Sequence, residues 1–159
     1  MTRPTAAAMP SILRRAFPWL VFLLALTGMA QMPIMKRYSI SDLPGLGWLA
    51  DFFTTHLVHY ALGALFLFLL SWALGATLRS GVLPRLTVSG MLRAGLIAVV
   101  AVTGILRVIK NDPGVTLDPY FVLAIDWVHM IAAFLWGLAA IAFRLARRGA
   151  YTHRSQRGG

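Results

Sequence analysis

Four long apolar stretches divide the chain, each at or above the roughly 20 residues a helix needs to cross a hydrocarbon layer of about 30 Å. They run from Ala16 to Met35, from about Trp48 to Leu78, from about Val88 to Ile109, and from Tyr120 to Phe143. The first holds no Lys, Arg or Glu, and the second has only Asp51, near its start. The third carries Arg93 and Arg107 close to its two ends, where long side chains reach the interface, and the fourth carries Asp126. Between the first and second stretches, and between the third and fourth, lie short connections rich in turn formers, with Pro44-Gly45 and Asp112-Pro113-Gly114. Neither is large enough to be a catalytic domain. The pattern predicts an all-α integral membrane protein, a four-helix transmembrane bundle with both termini on one side.

Composition agrees with that reading. Of 159 residues, 58% are hydrophobic and 13% charged, with mean hydropathy +0.73, against about 45–50% and about 25% in soluble domains. The absence of cysteine excludes disulfides, thiolate metal sites and covalent c-type haem attachment within the chain.

The net charge of +10 would suggest nucleic acid in a soluble protein, but sorting it by side of the membrane changes its meaning. Arg3, Arg14, Arg15, Arg79, Arg85, Arg93, Arg144, Arg147, Arg148, Arg154 and Arg157 share one side, with no acid among them. Lys36, Arg37, Arg107 and Lys110 lie on the other, in or beside which every acid also falls: Asp42, Asp51, Asp112, Asp118 and Asp126. The bias of basic residues toward the cytoplasm therefore predicts cytoplasmic termini, with no nucleic-acid partner. The expected organisation is a basic cytoplasmic arm over 1–15, a transmembrane domain over 16–148 and a basic disordered cytoplasmic tail over 149–159. Arg14-Arg15 and the small residues Gly28 and Ala30 also suit a cleaved signal peptide, which would leave three spans. The apolar run continues to Met35, longer than a typical signal core, and favours a retained first span.

Spans one and three end alike, in Ala25-Leu26-Thr27-Gly28-Met29 and Ala101-Val102-Thr103-Gly104-Ile105. Spans two and four each follow an Asp-containing outer loop and place a His in their outer half. This suggests two hairpins related as an internal repeat, although Thr-Gly pairs also serve ordinary helix packing in membranes. Trp19, Trp48, Trp72, Trp127 and Trp136 mostly fall near the predicted interfaces and read as an aromatic belt.

Ionisable groups within a span are costly and point to function. The outer half holds His56 and His59 on span two, and Asp126 and His129 on span four; His153 lies in the tail. At 1.5 Å per residue, His59 lies roughly 12 Å below Asp51 and His129 roughly 14 Å below Tyr120. Two histidines at matching depth on different helices suit the axial ligands of one b-type haem. His56, about 8 Å below Asp51, is the alternative to His59, and whichever does not ligate is a candidate to bind quinone or a haem propionate. Ala61, Gly63 and Ala64 would let a flat macrocycle approach span two, and Arg107 is the preferred partner of a propionate. Asp126 shares a helix face with His129 and reads either as a solvated acid or as a proton or quinone site. Proton relay, quinone binding and plain interhelical hydrogen bonds are competing uses of the histidines.

Leu26-Thr27-Gly28-Met29, the span-two histidines and Trp127-Val128-His129 resemble the small four-helix membrane cytochrome b subunits of respiratory enzymes, with formate dehydrogenase gamma and nickel–iron hydrogenase cytochrome b as the comparison. The resemblance covers about Ala16 to Arg148. It implies a non-catalytic electron-transfer subunit in the bacterial inner membrane that anchors an outer-face iron–sulfur or multihaem partner and exchanges electrons with quinone. Those cytochromes generally carry two haems and a first-span His; here the inner end of that span reads Phe17-Pro18-Trp19, which implies a single-haem relative. The alternative function is a haem-free membrane anchor or assembly subunit.

Overall fold

A computed structural model describes residues 11–32, 37–79 and 86–146. These form four long helices: α1 (Ser11–Ala30), α2 (Phe52–Arg79), α3 (Val88–Ile109) and α4 (Pro119–Leu145). All four are long and apolar enough to cross a membrane, and no strand longer than a single bridge residue occurs among the described residues. The chain divides into two compact units, each an antiparallel helical hairpin: α1 packs on α2, and α3 packs on α4.

The helix starts follow local chemistry. Asp118 accepts hydrogen bonds from the amides of Tyr120 (2.9 Å) and Phe121 (3.1 Å), with Pro119 opening α4 where its missing N–H costs nothing. Thr87 accepts from the Gly90 amide at 3.0 Å and caps α3. Asp51 takes an extended backbone conformation and accepts from the Phe53 amide at 3.1 Å and from the Thr54 hydroxyl. That cap divides the predicted second span: Gly47–Ala50 form a separate 3-10 turn, and α2 begins only at Phe52. The Thr54 hydroxyl holds the Asp51 carboxyl below the usual carboxylate range.

α1 also departs from its predicted bounds, because it takes in Ser11 to Arg15 from the expected arm and stops at Ala30. The connections turn as their residues require. Leu43-Pro44-Gly45-Leu46 closes with Leu46 N–H donating to the Leu43 carbonyl at 3.0 Å, with Gly45 at φ 83°, the positive value that a type II turn needs in its third position. In Asp112-Pro113-Gly114-Val115 the Asp112 side chain accepts from the Gly114 amide at 2.9 Å, and the Val115 amide donates to the Asp112 carbonyl at 3.0 Å.

In the first hairpin Ala30 and Leu49 form a small core with Leu26, Met29, Ile40 and Leu46. Elsewhere the buried positions are often polar, with Thr27 and Thr55 fully enclosed and Thr103 and Arg93 nearly so. Large apolar side chains instead face outward on every helix, among them Phe22, Phe53, Val102 and Leu138. This distribution suits helices solvated by lipid, where the helix contacts rather than the outer faces carry polar groups.

Candidate functional site

Each hairpin holds one imidazole in a notch formed by a threonine and the glycine that follows it. In the first, Thr27 on α1 places its hydroxyl 2.8 Å from the Leu23 carbonyl and 2.9 Å from His59 Nδ1 on α2. A threonine hydroxyl has one proton, which either the Leu23 carbonyl or the imidazole can take. When Leu23 takes it, Thr27 Oγ1 accepts from His59 Nδ1–H. That tautomer carries its basic lone pair on Nε2. Gly28 completes the notch: a Cβ there would stand 3.2 Å from His59 Cε1, so a side chain would crowd the ring.

The second hairpin builds the same arrangement. Thr103 on α3 places its hydroxyl 2.7 Å from the Val99 carbonyl and 3.0 Å from His129 Nδ1 on α4. A Cβ on Gly104 would lie 3.3 Å from His129 Cε1. The tautomer of His129 is thus tied to the Thr103 hydroxyl proton as that of His59 is to the Thr27 hydroxyl proton. The expected small residues of span two do not form the notch. Gly63 has open space around its missing Cβ, and the glycine against His59 comes from the facing helix.

A second pair of residues lies beside each notch, four positions after the threonine and three before the histidine. In the first hairpin these are Gln31 and His56, with His56 Nδ1–H donating to Gln31 Oε1 at 3.3 Å. The His56 ring lies between Phe52 and Tyr60, with centroids 5.4 and 4.2 Å away. In the second hairpin the same positions carry Arg107 and Asp126. Arg107 Nε donates to Asp126 Oδ1 at 2.9 Å, and Lys110 Nζ reaches both carboxylate oxygens at 2.7 and 2.6 Å. The pairing is partly exposed, with 37% of the Asp126 side chain accessible. The two cations and one carboxylate leave one net positive charge.

The structure thus joins Asp126 to Arg107, which the sequence reading treated separately, and adds Lys110. It separates His56 from His59 by environment: only His59 occupies a Thr-Gly notch. Thr27, Thr103 and Gln31 were not read as imidazole partners. The recurrence of Thr-Gly opposite a histidine in both hairpins was the signal for the two threonines, whereas nothing in the sequence marks Gln31. Lys36, His153 and the basic residues Arg3, Arg85, Arg147, Arg148, Arg154 and Arg157 lie outside the described residues. Among the described residues no three His, Asp or Glu side chains cluster to hold a metal ion. Comparison of the chain with protein-family models, with curated proteins and with solved structures returns no match.

Proposed function

We propose that the chain is a multi-pass membrane cytochrome b subunit in which His59 and His129 would hold one haem b. The observation that carries this reading is the shared geometry: both rings set Nδ1 against a threonine hydroxyl of the facing helix. A metal-bound histidine characteristically donates its other N–H to an acceptor that sets its orientation and basicity. A haem would need only two protein ligands and so no three-residue cluster. When bound, the haem supplies one-electron chemistry.

The chain's own residues would hold and tune that group. Thr27 and Thr103 orient the rings, and Gly28 and Gly104 give them room. The net positive charge of Arg107, Lys110 and Asp126 suits a haem propionate. Electrons would pass between an outer-face iron–sulfur or multihaem partner and membrane quinone, each quinol releasing two electrons and two protons as it is oxidised. We place the protein in the bacterial inner membrane with cytoplasmic termini, on the charge distribution, and read the matching notches as products of an internal repeat.

One observation favours a second reading. The Thr–His bonds each tie two helices together and would do so without a cofactor, as in a haem-free anchor or assembly subunit. A reduced-minus-oxidised spectrum of the purified full chain, reconstituted with haem in bilayers, separates the two. A b-type alpha band is expected; a folded protein that shows no band and retains no haem would leave the anchor reading standing.

A further inference from the structure

The two Thr–Gly notches sit at different places along their helices. Thr103 and Gly104 lie six and five residues before the end of α3 at Ile109, and beyond them the Lys110 amide still donates to the Leu106 carbonyl at 2.9 Å. Thr27 and Gly28 instead belong to the last turn of α1, which ends at Ala30. Gln31, the partner of His56, lies one residue past that end. A residue inside a helix is held by the turns on both sides of it, whereas the last turn has no following turn and frays. The first notch therefore depends on support from outside α1, and the second does not.

The connection between α1 and α2 supplies that support. Leu49, in the 3-10 turn Gly47–Ala50, is 1% exposed and forms a core with Ala30, against which Leu26, Met29, Ile40 and Leu46 pack. Leu26, Met29 and Ala30 flank Thr27 and Gly28 at the end of α1. On its other side Leu49 stands two residues before Asp51, the cap of α2, and the turn is closed by Leu49 N–H donating to the Leu46 carbonyl at 2.9 Å and Asp51 N–H to the Trp48 carbonyl at 3.2 Å. One buried side chain thus joins the end of the helix that carries Thr27 to the start of the helix that carries His59. The connection between α3 and α4 has no counterpart, since none of residues 111–118 is buried.

We infer that Leu49 is a positioning residue for His59: it fixes the last turn of α1 against the start of α2, and with it the register in which Thr27 and Gly28 meet the imidazole. The fit leaves little slack, because a Cβ on Gly28 would stand only 3.2 Å from the ring. Truncating Leu49 removes the contact that holds the terminal turn, and the surrounding side chains collapse only partly into the space left. That the positioned imidazole serves a haem rests on the cytochrome reading; that Leu49 positions it does not.

The test uses the full chain carrying ¹⁵N-labelled imidazoles in bilayers without haem. Of its four histidines, those whose signals are lost in His59→Ala and His129→Ala are assigned. Leu49→Ala is expected to shift or broaden the His59 signal and leave that of His129 in place, and Leu49→Met, which nearly conserves volume, should restore the wild-type spectrum. Leu69→Ala opens a cavity in the same helix, about 15 Å along it from His59. It should lower the melting temperature without moving the His59 signal, which separates positioning from a general loss of packing. Where Leu49→Ala does not fold, the smaller truncation Leu49→Val is read in the same way. A His59 signal that ignores the truncation of Leu49, that moves as much in Leu69→Ala, or that moves only together with His129 overturns the inference. The expected His59 shift in a protein that takes up no haem would sink the cytochrome reading while leaving the role of Leu49 intact.

Discussion

The two hairpins hold a histidine in the same way and surround it differently. Thr27 with Gly28 and Thr103 with Gly104 seat His59 and His129 at nearly identical distances. Beside those notches, one hairpin has a neutral Gln31–His56 pair and the other a charged cluster of Arg107, Lys110 and Asp126. Farther along, Phe66 in one stands where Trp136 stands in the other. The shared part fixes the position of the imidazole, whereas the differing parts change charge and donors around it. Orientation of the imidazole is thus common to both hairpins, and its electrostatic setting is particular to each.

The sharpest way to break this comparison is to remove each histidine separately. His59→Ala and His129→Ala should each abolish the haem alpha band, whereas His56→Ala should retain it. Retention of a full band in either of the first two would remove that histidine from the proposed haem ligands. Next, Thr27→Val and Thr103→Val keep the side-chain shape but remove the acceptor. Each should weaken haem binding by about 10–100-fold, read by haem titration, and a loss confined to one hairpin would deny their equivalence.

Glycine substitutions probe the same notch sterically. Gly28→Ala and Gly104→Ala bring a methyl group against Cε1 and should each destabilise the protein by about 1–3 kcal/mol in denaturation in mild detergent; no change would mean the rings can move aside. The flanking pairs should respond unequally. Asp126→Asn leaves two cations near one another and, discounted for its exposure, should cost about 1–2 kcal/mol. Gln31→Ala should cost about 0.5–1 kcal/mol. Equal costs would argue that the charge of the second cluster has no energetic consequence.

The smallest effect lies at the α2 cap. Because the folded Asp51 carboxyl titrates below its ordinary value, its stabilisation is present above the unfolded value, about 3.9, and is lost as pH falls through the lower folded value. Thermal melts should therefore separate the wild type from Asp51→Ala at neutral pH and converge in strong acid. A gap that persists in acid would assign the difference to something other than the ionised cap.

The helical class, the number of spans and most boundaries were legible in the chain, because runs of about 20 apolar residues permit few other structures. Val88–Ile109 matches its expected bounds, and α4 extends the expected fourth span only slightly. The start of α2 was less legible, since Trp48 to Ala50 continue the apolar pattern and only the capping geometry of Asp51 interrupts the helix there. The histidines were visible as polar exceptions in apolar runs. Their holders were not, because Thr27 and Thr103 read equally well as helix-packing residues.

Sequence by itself determined where the chain can be buried in lipid and which ionisable groups lie within that region, since both follow from residue type and helical rise. Tertiary structure alone decided that Thr27 meets His59, Thr103 meets His129 and Asp126 takes both Arg107 and Lys110. The reason is physical: a threonine hydroxyl bonded to its own helix can take one further partner, and only the rotation and register of the facing helix determine which imidazole that is.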